Sequence, residues 1–340
     1  MIVASAPGKA VISGEYAVLT GAPALIAAVD RRVTCTIDPT LGDHWRFTSR
    51  GFAGASSHAL ARLSVDPPLE TSDPAHLCQC VLLELRARGH DPSRLPSGAD
   101  VTIDSSACYA NGTKLGLGSS AAVVVALAAA LLKCSTLGSD PNVEQLREVA
   151  LAAHARAQGG RGSGLDVATS HRGGLVRFRR AGSDVEIASA ALPEGIHYTF
   201  VSTGAATTTS TKLASFDAWR AGGTPMALRA LCDAASRVAD ALSGADSFVR
   251  ELRRYVNCLS AMDQVAHLGI FSAPHRALGT IGSVAGVIYK PCGAGGGDIG
   301  VALAHDRHAI DMFIGQARTA GFDPLLLELT QYGVAVRTET

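Results

Sequence analysis

The chain has 340 residues, of which 47% are hydrophobic, and its 30 lysines and arginines balance its 30 aspartates and glutamates. This size is enough for a large core and for two lobes, and the zero net charge argues against nucleic acid or an anionic membrane as a partner. The eight scattered cysteines contain no C-x-x-C pair, which favours reduced thiols in a cytoplasmic protein. The N-terminal MIVASAPGK has neither the charged start nor the long apolar core of a signal peptide.

The N-terminal segment predicts short strands at residues 2–6 and 10–38, where β-forming runs alternate with glycine and proline. Between them, Pro7-Gly8 predicts a turn that presents Lys9. A lone lysine beside a turn is usually solvated, so Lys9 gains significance only from the motifs that follow it.

The segment Lys114–Leu132 is the most informative part of the chain. Before it, the patterns predict a strand around Trp45–Ser49, a polar loop to residue 73, a helix over 74–89 and a strand at Val101–Ile103. The segment itself ends in twelve consecutive apolar residues, which are too few for the roughly 20 that cross a bilayer. We therefore predict a buried helix that begins at Ser119 or Ser120, with a serine as its cap.

The two glycines before this helix predict a loop that cradles phosphate. Gly116 and Gly118 let the backbone approach a ligand closely, and the free N–H groups of a helix N-terminus attract anions. A glycine turn before an ordinary core helix remains the alternative. A dinucleotide fingerprint is excluded because a polar, turn-like segment precedes Gly116, and Gly8-Lys9 is followed by alanine, which excludes a P-loop.

The next glycine-rich turn ends in a single carboxylate, Asp166. A helix over about 142–158 runs out at Gly159-Gly160 before this turn, and Asp166 is either a turn or cap residue or a functional group. A hairpin at 174–178 and 184–187 and a strand at His197–Ser202 follow. The hydroxyl run that ends at Lys212 predicts either a second anion site or a capped helix start.

The C-terminal part predicts several helices over 213–285, with breaks near 222–225, 244 and 272–274. Strands at Val287–Lys290 and Ile299–Leu303 flank a glycine-rich loop that other groups must approach closely. A helix over 306–320 and a strand over 332–337 complete the pattern.

Three motifs in this order carry a family resemblance. They are PGKAVISGEYAVL at 7–19, GLGSSAA at 116–122 and GAGGGDIGVAL at 293–303, with Asp166 between the second and third. Together they resemble the GHMP kinases, across nearly the whole chain. The resemblance implies a two-lobed α+β fold. Its N-terminal lobe, residues 1–190, would be related to domain 2 of ribosomal protein S5, and its C-terminal lobe, residues 191–340, would be ferredoxin-like, with the active site between them.

Within that superfamily the segment Ala153–Val167 resembles phosphomevalonate kinases, and so does Lys114 before the phosphate loop. Ala155 stands where mevalonate kinases carry a magnesium-binding glutamate, which argues against a mevalonate kinase. Gly160 replaces the lysine of the phosphomevalonate kinase pattern, with Arg161 beside it, and the chain is shorter than the eukaryotic phosphomevalonate kinases.

The resemblance implies a set of site residues, with Lys9 and Asp166 as the catalytic pair and Ser120 as the ligand of Mg²⁺. The expected nucleotide-binding residues are Lys114, Gly116, Leu117, Gly118, Ser119, Ser120, Ala121 and Ala122. The expected substrate-binding residues are Lys9, Glu15, Tyr16, Arg161, Ser163, Gly164, Asp166, Thr211, Lys212, Gly295 and Gly296.

The implied function is ATP-dependent phosphorylation of phosphomevalonate to diphosphomevalonate, in the mevalonate route to isoprenoids. The alternatives are a GHMP kinase for another hydroxyl acceptor (mevalonate, homoserine or a sugar) and a non-catalytic relative that binds nucleotide. We expect ATP, Mg²⁺ and a small-molecule substrate, no nucleic acid or membrane partner, and a monomer or homodimer.

Overall fold

The fold is described from a computed structural model, which covers residues 1–51, 54–136, 139–160, 162–182, 184–223 and 225–339. The strands are β1 Ile2–Ser13, β2 Ala24–Thr40, β3 His44–Arg50, β4 Ala55–Ala59, β5 Gly98–Asp104, β6 Tyr109–Ala110, β7 Thr113–Lys114, β8 Leu175–Ala181, β9 Asp184–Ala190, β10 His197–Ser202, β11 Ile288–Pro291, β12 Ile299–Ala304, β13 Asp323–Leu325 and β14 Ala335–Thr338. The helices are α1 Leu60–Leu63, α2 His76–Ala87, α3 Ser119–Ser135, α4 Val143–Ala157, α5 Leu165–Arg172, α6 Thr209–Arg220, α7 Met226–Asp240, α8 Ala245–Ala266, α9 Ala273–Ala285 and α10 Arg307–Thr319.

The larger sheet forms the first lobe, in the strand order β14-β1-β2-β5-β3-β4, with β8 paired to β2 and β9 paired to β8. Helix α3 packs against β1 and β2, and nearly all of its residues are buried. A helix that is apolar all round belongs in a core, so the predicted buried helix is confirmed. Helices α2, α4 and α5 pack around α3.

The second lobe is built on a four-stranded antiparallel sheet in the order β11-β12-β10-β13. Helices α9 and α10 pack on it around a separate apolar cluster that includes Leu278, Tyr289 and Phe313. The predicted two-lobed α+β architecture is confirmed. The final strand β14 pairs with β1 of the larger sheet, so the chain returns to the first lobe. The division of the chain at residue 190 stays a prediction.

The turn predicted at Pro7-Gly8 is wrong. β1 runs without interruption from Ile2 to Ser13, and its pairing register with β2 shifts between Pro7 and Gly8. Pro7 has no backbone N–H to donate, and the shift in register accommodates it within the strand. Regular pairing with β2 resumes at Gly8. Lys9 is therefore presented from a buried strand.

Two other predictions need correction. The expected loop to residue 73 contains strand β4 and the short helix α1, and the turn ending at Asp166 leads directly into helix α5. Strands β6, β7 and β13 were not predicted, and the strands predicted over 10–38 are interrupted between Ser13 and Ala24. The remaining helices and strands lie close to their predicted positions. Within the described ranges, no helix has the length and hydropathy needed to cross a membrane.

Candidate active site

In the loop between β7 and α3, the backbone of two glycines lies against two charged side chains, those of Lys9 and Asp298. Gly116 and Gly118 have φ of 67° and 70°, a region that favours glycine. A Cβ on Gly118 would lie 2.9 Å from Cε of Lys9, and a Cβ on Gly116 would collide with the carboxylate of Asp298. Glycine is therefore required at both positions for the loop to lie between Lys9 and Asp298.

Helix α3 begins at Ser119, as predicted, but the prediction of a serine cap is wrong. The N-cap residue is Gly118, and no described side chain accepts a hydrogen bond from the first turn as a cap. Ser119 is buried and Ser120 is half-buried as the first helical residues. The free N–H groups of the first turn can thus bind an anion such as a nucleotide phosphate.

Lys9 and Asp166 meet in front of this helix. Nζ of Lys9 lies 3.5 Å from Oδ1 of Asp166, and Lys9 is only 7% exposed. The backbone N–H of Lys9 donates to the carbonyl of Leu117 at 2.8 Å, which fixes β1 against the phosphate loop. The structure therefore brings together the two residues that the resemblance implies as the catalytic pair.

Asp166 lies in the first turn of α5, whose N-cap residue is Gly164 at a φ of 84°. The hydroxyl of Ser163 accepts a hydrogen bond from the backbone N–H of Leu165 at 3.3 Å, which supports the start of the helix. A carboxylate at a helix N-terminus is stabilised by the helix dipole. The side chain of Asp166 is about one third exposed, so it is anchored by its helix and open to a ligand.

His154 joins the site although the sequence analysis assigned it no role. Its Nε2 lies 3.3 Å from Oγ of Ser120, and its side chain is buried on α4. Burial lowers the pKa of His154, and the negative charge of Asp166 opposes that effect only in part. The imidazole is therefore neutral near pH 7 and can share a hydrogen bond with the hydroxyl of Ser120.

The third glycine-rich loop contributes Asp298, which the sequence analysis also left without a role. Asp298 has a φ of 58°, and its Oδ1 accepts from the backbone N–H of Thr207 at 3.2 Å. Burial raises the pKa of Asp298, an effect that Thr207 and the charges of Lys9 and Lys114 oppose. This carboxylate packs against Gly116, so the second lobe contacts the phosphate loop of the first at this point.

Four of the predicted substrate residues do not face the pocket beside Lys9. Nζ of Lys212 donates to the carbonyls of Leu268 and Gly269, at the end of α8. Gly295 and Gly296 pack against Ile270 and Lys212, and Thr211 is exposed on the first turn of α6. Their roles in substrate binding stay predictions, and the geometry gives them no direct support.

Glu15 and Tyr16 form one wall of that pocket. Glu15 is 4% exposed, pairs with the ammonium of Lys290, and accepts a hydrogen bond from the hydroxyl of Tyr255 at 2.7 Å. The hydroxyl of Tyr16 donates to the carbonyl of Ala294 at 2.6 Å. The polar atoms of both residues are thus engaged within the protein, and they shape the pocket.

Two pockets meet at His154 and Gln158. The first, which we call the acceptor pocket, contains Lys9 and Asp166 and has a largely apolar wall that includes Val18, Leu19 and Leu213. The second, which we call the nucleotide pocket, is lined by residues that include Tyr109, Lys114, Ser119 and Ser120. The N-terminus of α3 lies at their junction, where a group could pass from one ligand to the other.

The remaining predicted residues fall in three groups. Leu117, Ala121 and Ala122 are buried around the loop and the first turns of α3, where only their backbone can reach a ligand. Gly164 and Ser163 line the acceptor pocket. Arg161 lies outside the described residues.

Mg²⁺ binds oxygen ligands and usually keeps several waters while it bridges phosphates. Among the described residues, no group of three His, Cys, Asp or Glu side chains is placed to hold a metal ion. The hydroxyl of Ser120, in the first turn of α3, is the oxygen donor that the sequence predicts. The site therefore fits a magnesium ion held mainly by nucleotide phosphates and water.

The chain is similar to known proteins in sequence and in fold. Residues 76–174 match the family model of the GHMP kinases N terminal domain. The chain is 28% identical to a phosphomevalonate kinase of Streptomyces sp. (strain CL190), over 98% of each chain. It also superposes on a Lin0012 protein from Listeria innocua with a TM-score of 0.85, at 19% identity over 99% of each chain. The chain superposes on a structure of Streptococcus pneumoniae phosphomevalonate kinase with phosphomevalonate and AMPPNP with a TM-score of 0.79, at 21% identity over 97% of this chain and 100% of that one. At these identities the two structures establish the shared fold.

Proposed function

We propose that this chain, which is similar to the GHMP kinases, is an ATP-dependent phosphotransferase whose acceptor is phosphomevalonate. The product is then diphosphomevalonate. The observation that carries this proposal is the pairing of Lys9 with Asp166 in front of the N-terminus of α3, at the junction of the two pockets. The similarity to the Streptomyces phosphomevalonate kinase over the whole chain supports the choice of acceptor.

ATP lies with its terminal phosphates at the first turn of α3. The backbone of Gly116–Ser120 surrounds them, and the rest of the nucleotide extends into the nucleotide pocket beside Tyr109 and Lys114. Free N–H groups and the helix dipole both favour the negative charge there. The hydroxyl of Ser120 would hold Mg²⁺, which would supply positive charge to neutralise the phosphates.

Phosphoryl transfer requires alignment and charge stabilisation more than covalent work by the protein. An oxygen of the acceptor phosphate forms a bond to the γ-phosphorus while the bond to the β-phosphate oxygen breaks and ADP leaves. Lys9 stabilises the charge on the transferring group, because its ammonium reaches the junction from β1. The acceptor oxygen is already anionic, so Asp166 mainly orients the acceptor and Lys9.

A coupled assay of ADP release tests the proposal, with phosphomevalonate, mevalonate, homoserine and hexoses as acceptors at saturating Mg·ATP. We expect turnover to be highest with phosphomevalonate, and the Lys9→Met variant to lose it while it still binds nucleotide. Preferred turnover of mevalonate or another hydroxyl acceptor would overturn the choice of acceptor.

A monomer or homodimer in the cytoplasm stays the prediction made from the sequence, and the division into lobes at residue 190 stays one as well.

A further inference from the structure

A third pocket, which we call the arginine pocket, opens beside the acceptor pocket and shares a wall with it. The shared wall includes Val18, Leu19, Ser163 and Leu213. Lys9 and Asp166 do not line the arginine pocket. It therefore lies beyond the acceptor pocket, at the end farther from the site of phosphoryl transfer.

Among the described residues, three arginines and one aspartate supply the charge of this pocket. Arg220 pairs with Asp217 at 2.8 Å, which neutralises both side chains. Arg179 and Arg180 are exposed neighbours on β8, and among the described side chains neither has a carboxylate within 4.0 Å. Their two positive charges therefore dominate the field of the pocket.

Arg179 and Arg180 are held in place by backbone carbonyls on two sides of the pocket. Nε of Arg179 donates to the carbonyl of Gly21 at 3.0 Å. Nη1 of Arg180 donates to the carbonyls of Gly162 and Ser163, each at 3.4 Å. A guanidinium has five N–H donors, so each one keeps donors for a ligand after making these contacts.

The proposed acceptor is an anion at both ends. Its phosphate must lie beside Lys9 and Asp166 to react, so its carboxylate points away from them along the pocket. Of the cations that the sequence analysis assigned to the substrate, Lys9 lies at the phosphate end and Lys212 donates to the end of α8. The third, Arg161, lies outside the described residues. The charge that the carboxylate needs is instead found in the arginine pocket.

We propose that Arg179 and Arg180 bind the carboxylate of the acceptor and so select an acidic acceptor, an inference that rests on the proposed function. A planar guanidinium binds a carboxylate through paired N–H donors, and the charge shortens and strengthens these bonds. The apolar wall shared by the two pockets covers the carbon chain between the two charged ends of the acceptor.

The test compares phosphomevalonate with an analogue in which a carboxamide replaces the carboxylate. We measure KM and kcat for both acceptors, and KM for ATP, in Arg179→Gln, Arg180→Gln and the double variant. We expect each single change to raise KM for phosphomevalonate about tenfold, the loss typical of one charge-assisted hydrogen bond. KM for the carboxamide and for ATP should change less than about twofold. Arg180→Lys should restore part of the loss.

Arg177→Gln is the matched control. Arg177 lies on the same strand, is exposed, and pairs with Asp240 outside the arginine pocket. It should leave both KM values unchanged, and thermal unfolding should confirm that every variant is folded.

Three outcomes overturn the inference or its premise, and they can be told apart. An unchanged KM for phosphomevalonate shows that the arginines bind nothing. An equal rise in KM for phosphomevalonate and for its carboxamide analogue shows that Arg180 only holds the loop before Asp166. Such a structural role does not depend on the charge of the acceptor. If the unaltered protein does not turn over phosphomevalonate at all, the proposed function itself fails.

Discussion

At the scale of single residues, Lys9 connects three parts of the site. Its backbone holds the phosphate loop through Leu117, its side-chain carbons lie against Gly118, and its ammonium reaches Asp166. A lysine that serves three neighbours from a buried strand has little freedom to move, which reduces the entropy lost when it engages a ligand.

Lys9→Met should lower kcat by roughly 10²- to 10³-fold, because it removes a charge that stabilises the transferring group. Asp166→Asn should lower kcat by much less than the roughly 10²- to 10⁴-fold that is typical when acid–base catalysis is lost. The reason is that a phosphate acceptor needs no deprotonation. Steady-state kinetics of both variants and of the double variant are the measurement. The double variant should be little worse than Lys9→Met, because residues that act as a unit are non-additive. Full additivity in a folded protein would show that they act independently.

Ser120→Ala should weaken the dependence on Mg²⁺ more than it weakens the fold. Ser120 is half-buried and its hydroxyl neighbours His154, so the change removes one oxygen donor and leaves the helix intact. We expect the Mg²⁺ concentration for half-maximal rate to rise about tenfold, as for a lost hydrogen bond to a charged group. Titration of Mg²⁺ at fixed ATP measures this, and calorimetry of Mg·ATP binding gives a readout free of turnover. An unchanged titration with unchanged binding would remove Ser120 from the metal site.

At the scale of secondary-structure elements, helix α9 supports the third glycine-rich loop from behind. His275 on α9 is fully buried, with Nδ1 at 2.8 Å from the hydroxyl of Tyr289 and Nε2 at 2.9 Å from the carbonyl of Gly297. Since the carbonyl can only accept, Nε2 carries the proton and Nδ1 accepts from Tyr289. The loop that carries Asp298 is thus tied to α9 and β11 through a neutral histidine.

This histidine predicts a loss of stability in mild acid. Burial lowers the pKa of His275 to about 4, from an ordinary value of 6.5. Between these two values the unfolded chain binds the proton and the folded chain does not, so stability falls as pH drops from 6.5 towards 4, by up to about 1.4 kcal/mol per unit. Urea denaturation across this range measures the slope. His275→Gln should flatten it, and an unchanged slope in that variant would assign the effect to other groups.

The elements also show what sequence patterns can and cannot predict. Helices α3 and α4 were predictable because one is a continuous apolar run and the other starts at Asn142, whose side chain caps it. Helix α5 has only eight residues and follows several glycines, so packing on α3 and β1 stabilises it more than local preference does.

The candidate site also contains residues that the sequence could indicate and residues that it could not. Lys9, Asp166 and the loop at Gly116–Ser120 lie in motifs with unusual composition, which is why the sequence indicated them. His154 lies four residues after the inward-facing Ala150, a spacing that indicates burial but not contact with Ser120. Asp298 reaches Gly116 only because the two lobes fold together, and no local pattern contains that information.

At the scale of the whole molecule, a buried ion pair joins the two lobes behind the acceptor pocket. Lys290 on β11 is fully buried, pairs with Glu15 after β1, and also donates to the carbonyls of Val11 at 3.1 Å and Pro291 at 2.7 Å. Tyr255 on α8 completes the cluster, with its hydroxyl donating to Glu15 and accepting from the backbone N–H of Gly14. The cluster therefore fixes the relative position of the strand that carries Lys9 and the sheet of the second lobe.

Lys290→Met should destabilise the protein by roughly 3–5 kcal/mol, because it leaves the carboxylate of Glu15 buried without its positive partner. The double variant Glu15→Gln/Lys290→Met should be more stable than Lys290→Met alone, since it contains no unpaired buried charge. Urea denaturation of the two single variants and the double variant gives the coupling free energy directly. Arg177→Gln/Asp240→Asn is the control for an exposed pair, which should contribute less than about 1 kcal/mol. If the losses at Glu15 and Lys290 simply add, the two residues stabilise the lobes separately. If they are coupled, the position of Lys9 depends on an ion pair that closes only when both lobes are folded.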